Sequence, residues 1–79
     1  MGGMARFQKG DRVALVGGLG FFNGACWYRW GKVTKVGRFS RRGQVCVCYN
    51  PQYSCISTEW FYEEDLVPYR DHGPSRIDP

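Results

Sequence analysis

The sequence predicts a small all-β domain, and three observations carry that prediction. Short runs rich in valine and aromatic residues alternate with polar neighbours, glycine- and proline-containing turn signals separate them, and no stretch of helical length is amphipathic. Short strands so spaced point to a barrel or a small sandwich, and closing a barrel removes the sheet edges that would otherwise invite aggregation. With 79 residues the chain makes one domain. A chain of that size buries only about 60% of the surface its unfolded form exposes, so its stability margin is slim. A hydrophobic content of 43% with 16% aromatics is nevertheless the composition of a folded protein.

The elements follow in order. Residues 1–6 read as a loose leader. Lys9-Gly10-Asp11 is a turn that opens a first strand through Val13 and Leu15. The glycine density of Gly17-Gly18-Leu19-Gly20-Phe21-Phe22-Asn23-Gly24 predicts a long loop, unusual in carrying two adjacent phenylalanines. Trp27 to Val36 is a second strand with Gly31 as a bend or bulge. A basic turn from Gly37 to Gly43 leads into Gln44-Val45-Cys46-Val47-Cys48-Tyr49, where Val45, Val47 and Tyr49 share one face and the two cysteines the other. Asn50-Pro51 ends it, and Ser54 to Trp60 is a fourth strand. Phe61 to Asp65 suits a single helical turn, Leu66 to Tyr69 a short closing strand, and residues 70–79 a frayed, flexible tail.

The formal net charge is +4. Arg29, Lys32, Lys35, Arg38, Arg41 and Arg42 fall in one stretch that contains no acid, whereas Glu59, Glu63, Glu64 and Asp65 cluster later. Such an asymmetry orients a molecule on a polyanion, although +4 is modest for a dedicated nucleic-acid binder. No apolar run approaches the ~18 residues of a membrane span, and the N-terminus lacks the regions of a signal peptide. These features predict an intracellular protein that does not enter a membrane, with Cys26, Cys46, Cys48 and Cys55 as reduced thiols.

In this order the pieces resemble the Tudor-like branch of the SH3-like barrels. Gly10-Asp11-Arg12-Val13 matches that branch's first strand, Trp27-Tyr28-Arg29 followed by Gly31-Lys32-Val33 its second, with Trp30 interposed, and Val45-Cys46-Val47-Cys48-Tyr49 its third. Glu64-Asp65-Leu66-Val67-Pro68 is similar to its closing turn and strand. The resemblance covers roughly residues 7–69 and implies a small five-stranded SH3-like barrel with one helical turn before the last strand. Many unrelated functions share that superfold, so function must be argued from a site.

The resemblance implies an aromatic cage. Tyr28, Tyr49 and Tyr53 occupy the matching second-strand and turn positions, with Phe21 or Phe22 as a loop wall. Ring faces attract a methylated ammonium through their quadrupole, each contact being worth about 0.5–2 kcal/mol. Where the family's turn often continues Tyr-Gly-Asn, this chain has Asn50-Pro51-Gln52-Tyr53-Ser54. The bland reading of Tyr28 and Tyr49 is that they pack the core. Trp60-Phe61-Tyr62 adds a run of three rings that cannot all face one core along a strand, which suits a peptide groove or a homo-oligomer contact. A second surface interleaves the six cations of 29–42 with Trp27, Tyr28, Trp30 and Phe39, so that phosphates and bases could be met together. The bland reading there is a solvated hairpin.

Metal and catalysis are weaker. Cys46-x-Cys48 puts two thiols on one strand face, but the C-x₂₋₄-C knuckle of structural zinc sites is missing, and buried cysteines commonly act as small hydrophobes. No metal or cofactor is expected. His72 sits in the tail, away from the held geometry a nucleophile–base pair needs. The plasmid-borne type of dihydrofolate reductase uses a barrel of this size, but its Val-Gln-Ile-Tyr pore strand is replaced here by Ile56-Ser57-Thr58-Glu59-Trp60. The expectation is therefore a non-catalytic module that recognises a protein or peptide segment through Phe21, Phe22, Tyr28, Tyr49, Tyr53 and Trp60. Its rival is a nucleic-acid-binding barrel that uses the basic hairpin.

Overall fold

The computed structural model describes residues 6–22, 26–49, 58–70 and 75–77. The expected positions Tyr53, Cys55 and His72 lie outside them. Among these residues eight strands form: β1 (Arg12–Leu15), β2 (Phe21–Phe22), β3 (Trp27–Tyr28), β4 (Gly31–Val36), β5 (Gln44–Cys48), β6 (Thr58–Tyr62), β7 (Leu66–Pro68) and β8 (Arg76–Ile77). Among the described residues the only helical segments are single 3₁₀ turns, at Val16–Gly18, Phe39–Arg41 and Glu63–Asp65. The protein is therefore all-β. None of its described helices is long and apolar enough to cross a membrane.

The strands make two antiparallel sheets, one ordered β6-β5-β4-β1-β7 and the other β2-β3-β8. The larger sheet has a strand at each of the five expected places, but the expected second strand, Trp27 to Val36, is broken: Trp27–Tyr28 join the smaller sheet and only Gly31–Val36 the larger. Of the expected fourth strand only the part from Thr58 onward lies within the described residues. β5 lies inside it and is buried on both faces, which explains why valine alternates with cysteine there rather than with a polar residue. Val33 and Val36 of β4 stand opposite Val47 and Val45 of β5, and Phe61 of β6 follows Val45 on the same row. With Val13 and Leu66 these side chains form the floor of the core. The smaller sheet covers it with Phe21 and Tyr28, directly opposite one another across β2 and β3.

Gly31 lies at the expected bend, where the chain breaks between β3 and β4. A Cβ there would sit 2.6 Å from Val47 Cγ1 and 2.8 Å from the Cys48 carbonyl oxygen, so only a glycine lets β4 approach β5 this closely. The bulge itself comes later, between Val33 and Lys35, where Thr34 is the extra residue. Its hydroxyl donates to the Cys46 carbonyl at 3.2 Å.

Three further segments differ from the sequence expectations. The glycine-rich loop holds regular structure, because Phe21–Phe22 pair with Trp27–Tyr28. The helical turn starts at Glu63 rather than Phe61, since β6 continues through Tyr62 in register with Gln44. The C-terminal tail is partly fixed: Arg76 and Ile77 pair with Tyr28 and Trp27. Ser75 is buried, its carbonyl accepts from the Arg29 amide at 2.6 Å, and its hydroxyl donates to the Trp30 carbonyl at 2.5 Å. These bonds give the Arg29 amide and the Trp30 carbonyl partners at the break between β3 and β4. At the other end of the chain, the Arg6 and Phe7 amides donate to Glu63 Oε2 at 2.7 and 3.2 Å, which seats Phe7 in the core.

Candidate functional site

The aromatics expected to form one surface divide between core and exterior. Tyr28 and Tyr49 are 4% and 6% exposed, and Phe21 is more deeply buried. Phe21 stacks on Tyr49 with ring centroids 5.2 Å apart, meets Phe61 edge-on at the same distance, and Tyr28 leans on Tyr49 at 6.1 Å. The structure thus brings Phe21, Tyr28 and Tyr49 together as an interior cluster, not as walls of an open cage. Such ring pairs are worth about 0.5–1.5 kcal/mol beyond the area they bury.

Burial also acts on Tyr49 chemically. Desolvation, reinforced by Glu59 and Cys48, pushes its phenol above the ordinary tyrosine range. The folded state therefore holds the Tyr49 proton more tightly than the unfolded chain does. The resulting stability is fully present below about pH 10, the unfolded tyrosine value, and is lost as pH rises from there through the folded value. Denaturant midpoints measured at about pH 9 and about pH 11 should fall less for Tyr49→Phe than for the parent. Equal falls would show that Tyr49 contributes nothing to alkaline unfolding.

Phe22 lies on the outside of the smaller sheet. Strand alternation sends Phe22, Trp27 and Ile77 to the face opposite Phe21 and Tyr28, and the register places the three side by side across β2, β3 and β8. They are 49%, 48% and 36% exposed, and the Phe22 and Trp27 rings pack at 4.7 Å. Leu19, exposed, precedes Gly20, which rests against Trp27 and Ile77. Arg29, exposed, lies two residues beyond Trp27 at the end of this apolar row. The sequence reading named Phe22 but left Trp27 and Ile77 out of the ligand set. Alternation from a buried Tyr28 points to Trp27, whereas Ile77 joins only through a pairing between distant parts of the chain.

A second surface lies on the outer face of β4, β5 and β6. Lys32 and Lys35 are three residues apart and would face opposite ways on a regular strand, but the Thr34 bulge turns both outward, opposite Cys48 and Cys46. Trp60 and Tyr62 occupy the same face on β6, Trp60 half-buried and Tyr62 exposed. The Arg41 guanidinium lies 4.6 Å over the Trp60 ring and donates to Gln44 Oε1 at 3.3 Å. Arg29, Arg38 and Arg42 are exposed, like the other expected cations. Of the rings expected to accompany them, Trp30 is instead buried, stacked on Tyr69 at 6.0 Å with Arg12 at 4.6 Å.

Among the described residues no group of three or more histidine, cysteine or acidic side chains could hold a metal ion. Cys46 and Cys48 are buried on the outer face of β5, and Cys26 packs partly against the core. No protein-family model matches the chain, and neither a curated protein nor a solved structure does.

Proposed function

We propose that the chain is a non-catalytic binding module, an SH3-like barrel of the Tudor-like branch, that takes an extended, acidic segment of a partner protein onto the smaller sheet. The order β6-β5-β4-β1-β7 supports the fold reading, since its middle strands follow one another in sequence while the closing strand returns beside the first. The Phe22–Trp27–Ile77 row carries the functional reading: three large apolar side chains stand in line and half-exposed on a domain with little core to spare. Isolated exposed apolar residues need no explanation, but a contiguous row with a polar rim is the usual anatomy of an interface. Beside it the exposed Arg29 favours carboxylates on the partner. A rigid tryptophan beside a phenylalanine is also the kind of anchor that dominates binding energy.

Selection from a displayed library of random peptides tests this. Enriched peptides should alternate apolar and acidic residues, and their synthetic versions should bind at least tenfold more weakly to Trp27→Ser, a loss of about 1.4 kcal/mol or more. Arg41→Gln/Arg42→Gln should bind them normally. Selected peptides that bind Trp27→Ser as well as the parent would refute the reading. So would a concentration-dependent dimer that Trp27→Ser abolishes, because the row would then belong to a second copy of the chain.

A further inference from the structure

The hairpin joining β4 to β5 holds Phe39 in a way the fold does not require. Its side chain is 94% exposed and buries nothing. Its φ of 54° lies in the left-handed region, which disfavours a bulky aromatic. The turn that imposes this conformation is well tied. Arg41 and Arg42 amides donate to the Arg38 and Phe39 carbonyls at 2.9 and 3.1 Å, and the Gly37 amide donates to the Gln44 carbonyl at 2.9 Å. A side chain at Gly37 would collide with the Arg41 and Gln44 backbone, so the close approach depends on that glycine. Strain at a residue that contributes nothing to packing points to a role for the residue itself.

Around Phe39 the sequence supplies Arg38, Arg41 and Arg42, and the adjoining sheet face supplies Lys32 and Lys35 beside Trp60 and Tyr62. Arg41 over Trp60 links the hairpin to that face. Two of the acids near it are turned or tied away. Glu59 stands on the opposite row with Val33 and Val47, and the Glu63 carboxylate is engaged by the Arg6 and Phe7 amides. Cations interleaved with accessible ring faces suit a strand whose phosphates and bare bases are both presented, which a duplex does not offer.

We propose that the hairpin tip and the outer face of β4–β6 form a binding site for single-stranded nucleic acid. Bases stack on Phe39 and Tyr62, and phosphates meet Lys32, Lys35, Arg38 and Arg42. The site is separate from the Phe22–Trp27–Ile77 row.

Fluorescence anisotropy with a labelled oligothymidylate of about fifteen nucleotides, near the upper site size of a small single-strand binder, tests the proposal on the full chain. The parent should bind, with log K falling against log salt by about 0.7 for each phosphate neutralised. Phe39→Ala should weaken binding between about fivefold and a hundredfold, the range for loss of one stacked base. Phe39→Gly should weaken it as much while melting at or above the parent's temperature, because glycine relieves the backbone strain. Arg38→Gln/Arg42→Gln should flatten the salt slope, and Trp27→Ser should bind normally, which separates this site from the proposed peptide surface. The proposal is overturned if the oligonucleotide fails to bind at low salt or binds Phe39→Ala unchanged. It is equally overturned if a duplex of the same length binds as tightly, or if anionic phosphatidylglycerol vesicles bind and the oligonucleotide does not.

Discussion

Phe21→Ala should destabilise the chain by about 3–5 kcal/mol, a large share of its total stability. Phe21 is almost completely buried, stacks on Tyr49 and meets Phe61 edge-on, so it is the ring through which the smaller sheet grips the larger one. Truncating a buried phenylalanine costs about 3–5 kcal/mol, because the lost transfer energy is joined by a cavity its neighbours fill only in part. At about 0.05–0.15 kcal/mol per residue, 79 residues carry roughly 4–12 kcal/mol in total, so the substitution removes a large share of it. Urea denaturation followed by tryptophan fluorescence and circular dichroism measures the loss. Phe21→Leu, which keeps most of the apolar volume but not the ring stack, should be intermediate. A loss below about 1 kcal/mol for Phe21→Ala would mean that the ring is not packed as described.

Gly31→Ala should be nearly as disruptive for the opposite reason. It adds one methyl group where no space exists, 2.6 Å from Val47 Cγ1, 2.8 Å from the Cys48 carbonyl oxygen and 3.0 Å from Tyr49 Cα. A flexible side chain could swing aside, but two of these three atoms are backbone, so relief requires β4 and β5 to move apart. Overpacking costs about 1–3 kcal/mol in cores that can adjust, and this contact lies at the upper end. The urea midpoint should fall accordingly. An unchanged midpoint would show that β4 and β5 do not approach so closely at this position.

Particular residues show what the sequence discloses. The β5 strand, expected from Gln44 to Tyr49 and found over Gln44–Cys48, was legible because strand alternation is a local property, and its two buried faces account for both the valines and the cysteines. Gly31 was legible as a bend because a glycine inside a strand pattern has few other uses. Trp60-Phe61-Tyr62 shows the same alternation, with Phe61 turned inward against Phe21 and its neighbours outward. What the sequence hid was long-range. Gly73 and Pro74 suggest an unstructured tail, yet Ser75 bonds to the Arg29–Trp30 break and brings Ile77 beside Trp27. The division of Phe21, Tyr28 and Tyr49 from Phe22 and Trp27 likewise depends on which sheet face meets the core. Ring content alone does not disclose that. Phe39 was visible as an aromatic within a basic turn, but its left-handed backbone becomes apparent only from the dihedral angle.

Both sheets join the beginning of the chain to its end: β1 is zipped to β7 and β3 to β8. During synthesis the first strand must therefore wait, half-paired, until β7 has been made. Among the described strands, the short β2–β3 pair and the longer β4–β5–β6 meander can assemble from neighbouring segments, and the meander carries the basic hairpin. Topologies ruled by such distant pairings fold on the order of milliseconds to seconds rather than microseconds. The meander is accordingly the natural seed, and the sheet bearing Phe22, Trp27 and Ile77 is completed last.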